Sequence, residues 1–140
     1  MTLLNISKID QVSIEAICGC VPVYEIDNSV QGKELFGRDL AISIETTGAE
    51  RKRICRDKMT SSLELSLCAA TAIFKEHPEL KEKIGALIFV TLSPSQQIPN
   101  NSTYAQHLLG IPTHVPAFDI NLACSGYPFG LWVSGLIAKT

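Results

Sequence analysis

The chain has 140 residues, of which 46% are hydrophobic and 19% charged, and its formal net charge at pH 7 is −2. This composition suits a well-buried α/β protein rather than a disordered one, and the charge gives no reason to expect nucleic acid or a membrane surface as partner. No apolar run reaches the ~18 residues that span a bilayer and no signal peptide begins at Met1, so the sequence predicts cytoplasmic residence.

The first half of the chain predicts a strand, a helix and an exposed loop. Residues from about Val12 to Tyr24 mix apolar and small side chains around Gly19, which favours a bent first strand. A short helix is expected over Leu35–Ile44. The polar and basic segment that follows, as far as Asp57, is expected to be an exposed loop.

Helix and strand signals then alternate. Ser61 and Glu64 form a capping-box pattern at the start of a helix that Pro78 stops near His77. The unbroken apolar run from Gly85 to Leu92 is typical of a strand that is covered on both faces.

The last third of the chain predicts a helix from about Asn101 to Leu109, a strand over Val115–Leu122 and a helix over Ser125–Ala138. Strands that alternate with helices predict an α/β layered fold with parallel neighbours. The last helix is apolar on nearly every face, so it is expected to be buried all round. Pro128 costs no hydrogen bond if Ser125 is the cap, and it costs one if the preceding residue is the cap.

Five cysteines are an odd number, so they cannot all pair within the chain. Cys18 and Cys20 are two residues apart, which is not the spacing of zinc or redox Cys-x-x-Cys sites, and no metal site is predicted. We interpret these two cysteines, together with Cys55 and Cys68, as ordinary core or near-surface residues.

Cys124 is different because it lies where a predicted strand ends and a predicted helix begins. Free backbone amides and the helix dipole at that position favour the thiolate, which is the reactive form of cysteine. The small residues Ser125 and Gly126 allow a substrate carbonyl to approach closely. The pattern therefore indicates a nucleophile at Cys124.

The segment around Cys124 resembles the active-site segment of the thiolase-like condensing enzymes, most closely the β-ketoacyl-acyl-carrier-protein synthase III type. The resemblance spans residues 14–140, and its specific part is the Ala-Cys-Ser-Gly-Tyr run after Phe-Asp-Ile. The supporting segments, in the family's order and spacing, are Thr47–Ile54, Leu87–Pro94, Ile98–Ser102 and Leu108–Gly110.

The resemblance implies an α/β, layered thiolase-like half-domain with a mostly parallel mixed sheet between helices. Residues 1–140 would be the N-terminal part of one condensing-enzyme domain that carries the nucleophile cysteine, without the second half. The implied activity is that of an acyltransferase, which joins an acyl thioester to a malonyl-acyl-carrier-protein in fatty-acid or polyketide synthesis. Cys124 would accept the acyl group. The implied partners are an acyl carrier protein, an acyl thioester and a second copy in a homodimer, with thioesters as substrates and no resident cofactor.

The family stabilises its enolate with a His and an Asn from the second half of the fold. The three histidines of this chain, His77, His107 and His114, offer no replacement, because their positions indicate a helix end, a helix surface and a loop. The 140-residue chain alone is therefore expected to be inactive in condensation.

Five positions bear on substrate binding in the family. Ile42 and Thr46 stand where a Trp and an Arg commonly hold the coenzyme A nucleotide, so that grip is lost. Ile98 falls where an aromatic residue often shapes the acyl pocket of the neighbouring subunit, and its smaller side chain suits a different or bulkier primer. Arg51 and Arg53 fit phosphate contacts to a pantetheine-bearing donor, but a solvated basic loop explains them equally well.

Two other functions stay open. The chain could be a non-catalytic scaffold or partner subunit of a condensing-enzyme complex, which the lost nucleotide contacts and the missing second half favour somewhat. A cysteine hydrolase of unrelated fold would need a His partner for Cys124, which the sequence does not visibly supply.

Overall fold

The computed structural model describes residues 8–37, 39–57 and 59–139, and the chain divides into two compact units. Unit 1 consists of Met1–Gly19 and Ser62–Thr140, and unit 2 consists of Cys20–Ser61. The assignment of residues 1–140 to one condensing-enzyme domain stays a prediction.

Unit 2 contains an antiparallel pair of strands and two short helices. Its elements are β1 (Tyr24–Asp27), α1 (Asn28–Phe36), α2 (Ala41–Thr47) and β2 (Arg51–Ile54). Glu25 of β1 lies opposite Arg53 of β2, and Asp27 lies opposite Arg51. Each strand therefore supplies charges that the other strand neutralises.

Three predictions in this part of the chain are wrong. The strand starts at Tyr24 and not near Val12, because residues 12–22 pair with no other strand among the described residues. The single helix over Leu35–Ile44 is two helices, since Gly37 adopts a left-handed φ of 62° and ends the first. The basic segment is the strand β2 and not a loop, although its side chains are mostly exposed as predicted.

Unit 1 confirms the predicted order of its elements. They are α3 (Ser62–Glu76), a short 3-10 helix (Pro78–Lys83), β3 (Leu87–Val90), α4 (Asn101–Leu109), β4 (Ala117–Ile120) and α5 (Gly126–Ile137). The strands β3 and β4 are parallel, as predicted, with Leu87 opposite Ala117.

The core of unit 1 lies between α3, α4 and β3. Its buried side chains are Leu63, Phe89 and Ala105, one from each element, and partly buried leucines surround them. Local sequence signals set the ends of α4. Asn100 accepts a hydrogen bond from the amide of Thr103 at the start, and Gly110 ends the helix with a φ of 64°.

The helix α5 departs from the predicted burial on all sides. Its buried residues are the glycines at 126, 130 and 135, while its large apolar side chains are at least partly exposed: Tyr127, Phe129, Leu131, Trp132 and Leu136. A Cβ atom at Gly126 would lie 2.8 Å from Cγ1 of Val90, and one at Gly130 would lie 2.9 Å from its Cγ2. The helix therefore packs on β3 through its glycines, and most of its apolar surface faces away from the sheet.

Pro128 costs α5 no hydrogen bond, because of the residue that caps this helix. Ser125 is the N-cap of α5, and the first helical hydrogen bond runs from the amide of Phe129 to its carbonyl over 3.1 Å. Pro128 therefore lies where a helix needs no amide donor. None of the helices in the described part of the chain has the length and apolar character needed to cross a membrane.

Candidate active site around Cys124

Cys124 lies on an exposed corner between β4 and α5. Two short turns frame it: the amide of Leu122 donates to the carbonyl of Ile120 over 3.1 Å, and the amide of Gly126 donates to that of Ala123 over 2.9 Å. The thiol is thus free and exposed at the place where the sequence predicts a nucleophile.

The first turn of α5 offers few backbone donors near the thiol. The amide of Gly126 is engaged with Ala123, and Pro128 has none. Within the described residues, the amides of Ser125 and Tyr127 have no hydrogen-bond partner. An oxyanion formed on an acyl group at Cys124 would find its nearest donors there.

A cavity of about 570 Å³ begins beside the turn that contains Cys124. It runs between the end of β3 and α5, and Ala123 is one of its lining residues. Its wall is mostly apolar, and the hydroxyl-bearing side chains in it are Thr91, Ser93, Tyr127 and Ser134. Such a surface suits an apolar chain with a polar end.

Ile98, the predicted acyl-pocket residue, is 91% exposed. Its loop is nevertheless organised, since Nε2 of Gln96 donates to the carbonyl of Pro99 over 2.8 Å. Ile98 and Cys124 belong to the same unit.

Arg51 and Arg53, the predicted phosphate contacts, come together at one carboxylate in unit 2. Nη1 of Arg51 lies 3.1 Å from Oε1 of Glu25, and Nη2 of Arg53 lies 3.2 Å from its Oε2. Arg53 also donates to the carbonyls of Pro22 and Val23. Both guanidinium groups therefore have partners within the hairpin, and the β1–β2 pairing positions them.

The histidines lie where the sequence places them. Nδ1 of His77 is 3.7 Å from Oε1 of Glu79, so its side chain faces that carboxylate. His107 lies exposed in the last turn of α4, and His114 lies exposed in the loop before β4. No contact between a histidine and Cys124 occurs in the part of the chain that the structure describes.

The other four cysteines, all among the described residues, form no disulfide. Cys18, Cys55 and Cys68 are exposed, and Cys20 is half-buried. Within the described ranges, no group of three or more potential metal-binding side chains comes together.

Sequence patterns alone do not single out Asp119, which has a structural role close to Cys124. Its carboxylate accepts hydrogen bonds from the amides of Asn101 and Ser102, over 3.0 Å and 2.8 Å. A charged residue inside a mostly apolar strand is the one signal that points to it, because such a residue needs a partner.

The fold and the exposed cysteine after β4 define a class of protein: the thiolase-like condensing enzymes. The chain matches β-ketoacyl-acyl-carrier-protein synthase III from Chlamydia caviae with 32% identity over 135 residues, 96% of this chain and 39% of the relative. The crystal structure of a 3-oxoacyl-acyl-carrier-protein synthase from Burkholderia xenovorans matches with 31% identity and a TM-score of 0.76, over 86% of this chain and 35% of that one.

A further structural match supports the fold alone. The synthase III structure from Thermus thermophilus is 20% identical, with a TM-score of 0.81, and covers 91% of this chain and 39% of that one. No protein-family model matches the chain.

The chain therefore belongs to the synthase III type of condensing enzymes. The predicted resemblance and the predicted thiolase-like fold are confirmed. The chain spans 39% of the length of the Chlamydia relative, and 37% of that of a Lactobacillus helveticus synthase III.

Proposed function

We propose that this chain supplies the acyl-accepting cysteine of a synthase III-type acyltransferase. The observation that carries the proposal is the place of Cys124: it is an exposed thiol at the corner between β4 and α5, in a chain related to these enzymes. Its substrates would be an acyl thioester and a malonyl-acyl-carrier-protein, and its product would serve fatty-acid or polyketide synthesis in the cytoplasm.

The first step is the transfer of the acyl group. The thiolate of Cys124 attacks the carbonyl carbon of the thioester, and a bond forms between that carbon and Sγ. The bond to the donor's sulfur breaks, and the thiol of coenzyme A or of the carrier leaves with the proton that Cys124 gave up. The amides of Ser125 and Tyr127 are the donors that can stabilise the tetrahedral oxyanion.

The second step is the formation of the carbon–carbon bond. Loss of CO₂ from the malonyl thioester leaves an enolate, which attacks the acyl carbon on Cys124 and releases the thiolate. This step needs hydrogen-bond donors for the enolate. In the family a His and an Asn supply them, and the three histidines described above offer no replacement. We propose that the chain alone takes up an acyl group but does not condense it. Neither step needs a resident cofactor.

Ile98 and the two arginines have supporting roles in this proposal. Ile98 would contribute to the acyl pocket of a second copy in a homodimer, and its 91% exposure supports a contact of this kind. Arg51 and Arg53 would contact a phosphate of the acyl carrier or of coenzyme A. Because both are held by Glu25, a phosphate would have to share them with that carboxylate.

The alternative is a scaffold or partner subunit without catalysis. Ile42, at a position where the family commonly has a Trp, is 82% exposed on α2. Thr46, at the family's Arg position, donates its hydroxyl to the carbonyl of Ile42 over 2.8 Å. Neither residue can grip a nucleotide as a Trp and an Arg can, which favours a carrier-protein donor or no donor at all.

The test is to incubate the pure chain with an acyl thioester and a malonyl thioester, and to measure released thiol and CO₂ by chromatography and radiometry. We expect one equivalent of thiol per chain and no continuing CO₂ release. Cys124→Ala should release no thiol, and Cys68→Ala should behave as the wild type. Steady CO₂ release that depends on Cys124 would contradict the inactivity of the chain alone, and absence of thiol release would favour the scaffold.

A further inference from the structure

We propose that Asp119 is a positioning residue that holds the turn of Cys124 and the loop of Ile98 in one fixed arrangement. The inference rests on the proposed function, because that function gives both segments a part in binding the acyl group. Asp119 lies in β4, opposite the buried Phe89 of β3, and is five residues from the nucleophile.

The first link runs from Asp119 to the start of α4. Its two carboxylate oxygens accept from the amides of Asn101 and Ser102, over 3.0 Å and 2.8 Å. Both of these residues are 0% exposed. Hydrogen bonds from amides to a carboxylate are strong, and the positive end of the helix dipole adds to them. The strand that leads to Cys124 is thereby fixed to a helix start shielded from water.

The second link runs from that helix start to Ile98. Oδ1 of Asn101 accepts from the amide of Ser95 over 3.3 Å, and Nε2 of Gln96 bonds to the carbonyl of Pro99 over 2.8 Å. The loop that carries Ile98 is thus closed on itself and tied to the residue whose amide Asp119 holds. A shift of the start of α4 would move this loop as well.

A cavity of about 450 Å³ shows that the two segments lie side by side. Gln96, Gln97 and Asn100 line it from the Ile98 loop, while Asp119 and Asn121 line it from the strand that precedes Cys124. Because both segments line one cavity, a movement of either segment changes the shape of that cavity.

The carboxylate of Asp27 provides a matched comparison. It also accepts from a backbone amide at a helix start, that of Ser29 over 2.8 Å, but this bond spans two residues in unit 2. Asp119 instead joins segments that are 17 and 18 residues apart. Comparing Asp→Asn at the two positions therefore distinguishes the effect of losing a local helix cap from the effect of losing a link between two elements.

The experiment measures the rate at which iodoacetamide alkylates Cys124, by peptide mapping, with Cys68 in the same unit as the internal reference. The variants are Asp119→Asn, Ile98→Ala, the double variant, and Asp27→Asn as control. Asn keeps the size of Asp119 but turns one acceptor into a donor that faces an amide. We expect the Cys124 rate to fall about three-fold or more in Asp119→Asn, while Asp27→Asn and the Cys68 rate stay unchanged.

The double variant tests the link itself. If Asp119 couples the two segments, the effects of Asp119→Asn and Ile98→Ala on the Cys124 rate should deviate from multiplicative behaviour by about two-fold or more. A residue that only adds to overall stability would change the rates of Cys124 and Cys68 together. Multiplicative effects would overturn the proposal.

A second variant removes the donor instead of the acceptor. Asn101→Pro deletes one amide that Asp119 holds, at the first helical position, and also removes the side chain that accepts from Ser95. Asn100 already has the extended ψ of 165° that a residue before proline requires. The same selective fall at Cys124 is expected.

Three results would overturn the proposal: Cys124 rates within about 1.5-fold of the wild type in both folded variants, equal changes at Cys68, or loss of cooperative folding in both. Loss of folding in both would make Asp119 a residue of overall stability. A wild-type chain that shows the expected dependence on Asp119 but takes up no acyl group would contradict the proposed function and leave the positioning role in place.

Discussion

At the scale of single residues, the corner that presents Cys124 depends on neighbours without reactive groups of their own. Gly126 closes the turn through its amide and lets α5 approach β3, and Pro128 fits the first turn because Ser125 is the cap. The exposure of the thiol is therefore a property of the turn. Among the described cysteines, exposure alone does not distinguish Cys124, since Cys55 and Cys68 are exposed too. Its position at a helix start does.

Asp27 provides a prediction at this scale. The hydroxyl of Ser29 is the main cause, and its amide the next, that lowers the pKa of the Asp27 carboxyl from its ordinary value of 3.8. A carboxyl with a lowered pKa in the folded state contributes stability above that ordinary value and loses it as the pH falls through the lower one. We expect the amide resonance of Ser29 to titrate with a midpoint below pH 3.8.

Nuclear magnetic resonance titration of the folded chain measures this midpoint. Asp27→Asn keeps an effective N-cap and should abolish the titration, because the amide side chain has no proton to gain in this range. A midpoint at or above 3.8 in the wild type would contradict the role of Ser29.

At the scale of elements, local signals explain what the sequence could predict. The helix α4 was predicted from Asn101 to Leu109 and has these ends, because Asn100 and Gly110 cap it. The strand β3 was predicted from its apolar run. Such signals act within a few residues and need no knowledge of the rest of the fold.

The antiparallel pair β1–β2 could not be predicted in this way. Its strands pair residues 24–27 with residues 51–54, so the pairing is distant in the sequence. The sequence of β2, Arg-Lys-Arg-Ile, has the composition of a solvated loop, and only the carboxylates opposite it make a strand favourable. Gly37 and Asp39 did offer a local signal for the break between α1 and α2, since the carboxylate of Asp39 accepts from the amide of Ala41 over 2.9 Å.

The seam between α5 and β3 gives a prediction at this scale. An alanine at Gly126 would place its Cβ 2.8 Å from Cγ1 of Val90 and 3.4 Å from Cβ of Leu122, so either the side chain of Val90 or the start of α5 must shift. We expect Gly126→Ala to lower the free energy of unfolding by about 1–3 kcal/mol. Gly85→Ala is the control, because nothing lies within 4 Å of its added Cβ.

Urea denaturation followed by circular dichroism measures both changes. A loss below about 0.5 kcal/mol for Gly126→Ala, equal to that of the control, would show that the seam yields without cost. Such a result would contradict the close packing of α5 on β3.

At the scale of the whole molecule, the structure shows an incomplete burial of the last helix. The helix α5 was expected to be buried all round, yet its tyrosine, phenylalanine, leucines and tryptophan are at least partly exposed among the described residues. The apolar pattern of one helix cannot say what covers it. The chain spans only 39% of the length of a related synthase III.

Only part of the candidate site could be predicted from the sequence. Cys124 follows from its sequence context, whereas Asp119 and Glu25 act through partners 17 or more residues away, which no local pattern reveals. The pairing of both arginines with Glu25 likewise depends on the β1–β2 register. Side chains that act through distant partners require the fold to be known.

The most direct test of the central claim is to treat the folded chain with a short-chain acyl thioester and to map the acyl group among the five cysteines by mass spectrometry. We predict one acyl group per chain, on Cys124, with Cys55 and Cys68 unmodified although they are exposed. Cys124→Ser should remove the thioester adduct, and Cys68→Ser should leave it unchanged. An acyl group spread over the exposed cysteines, or absent from Cys124, would contradict the account.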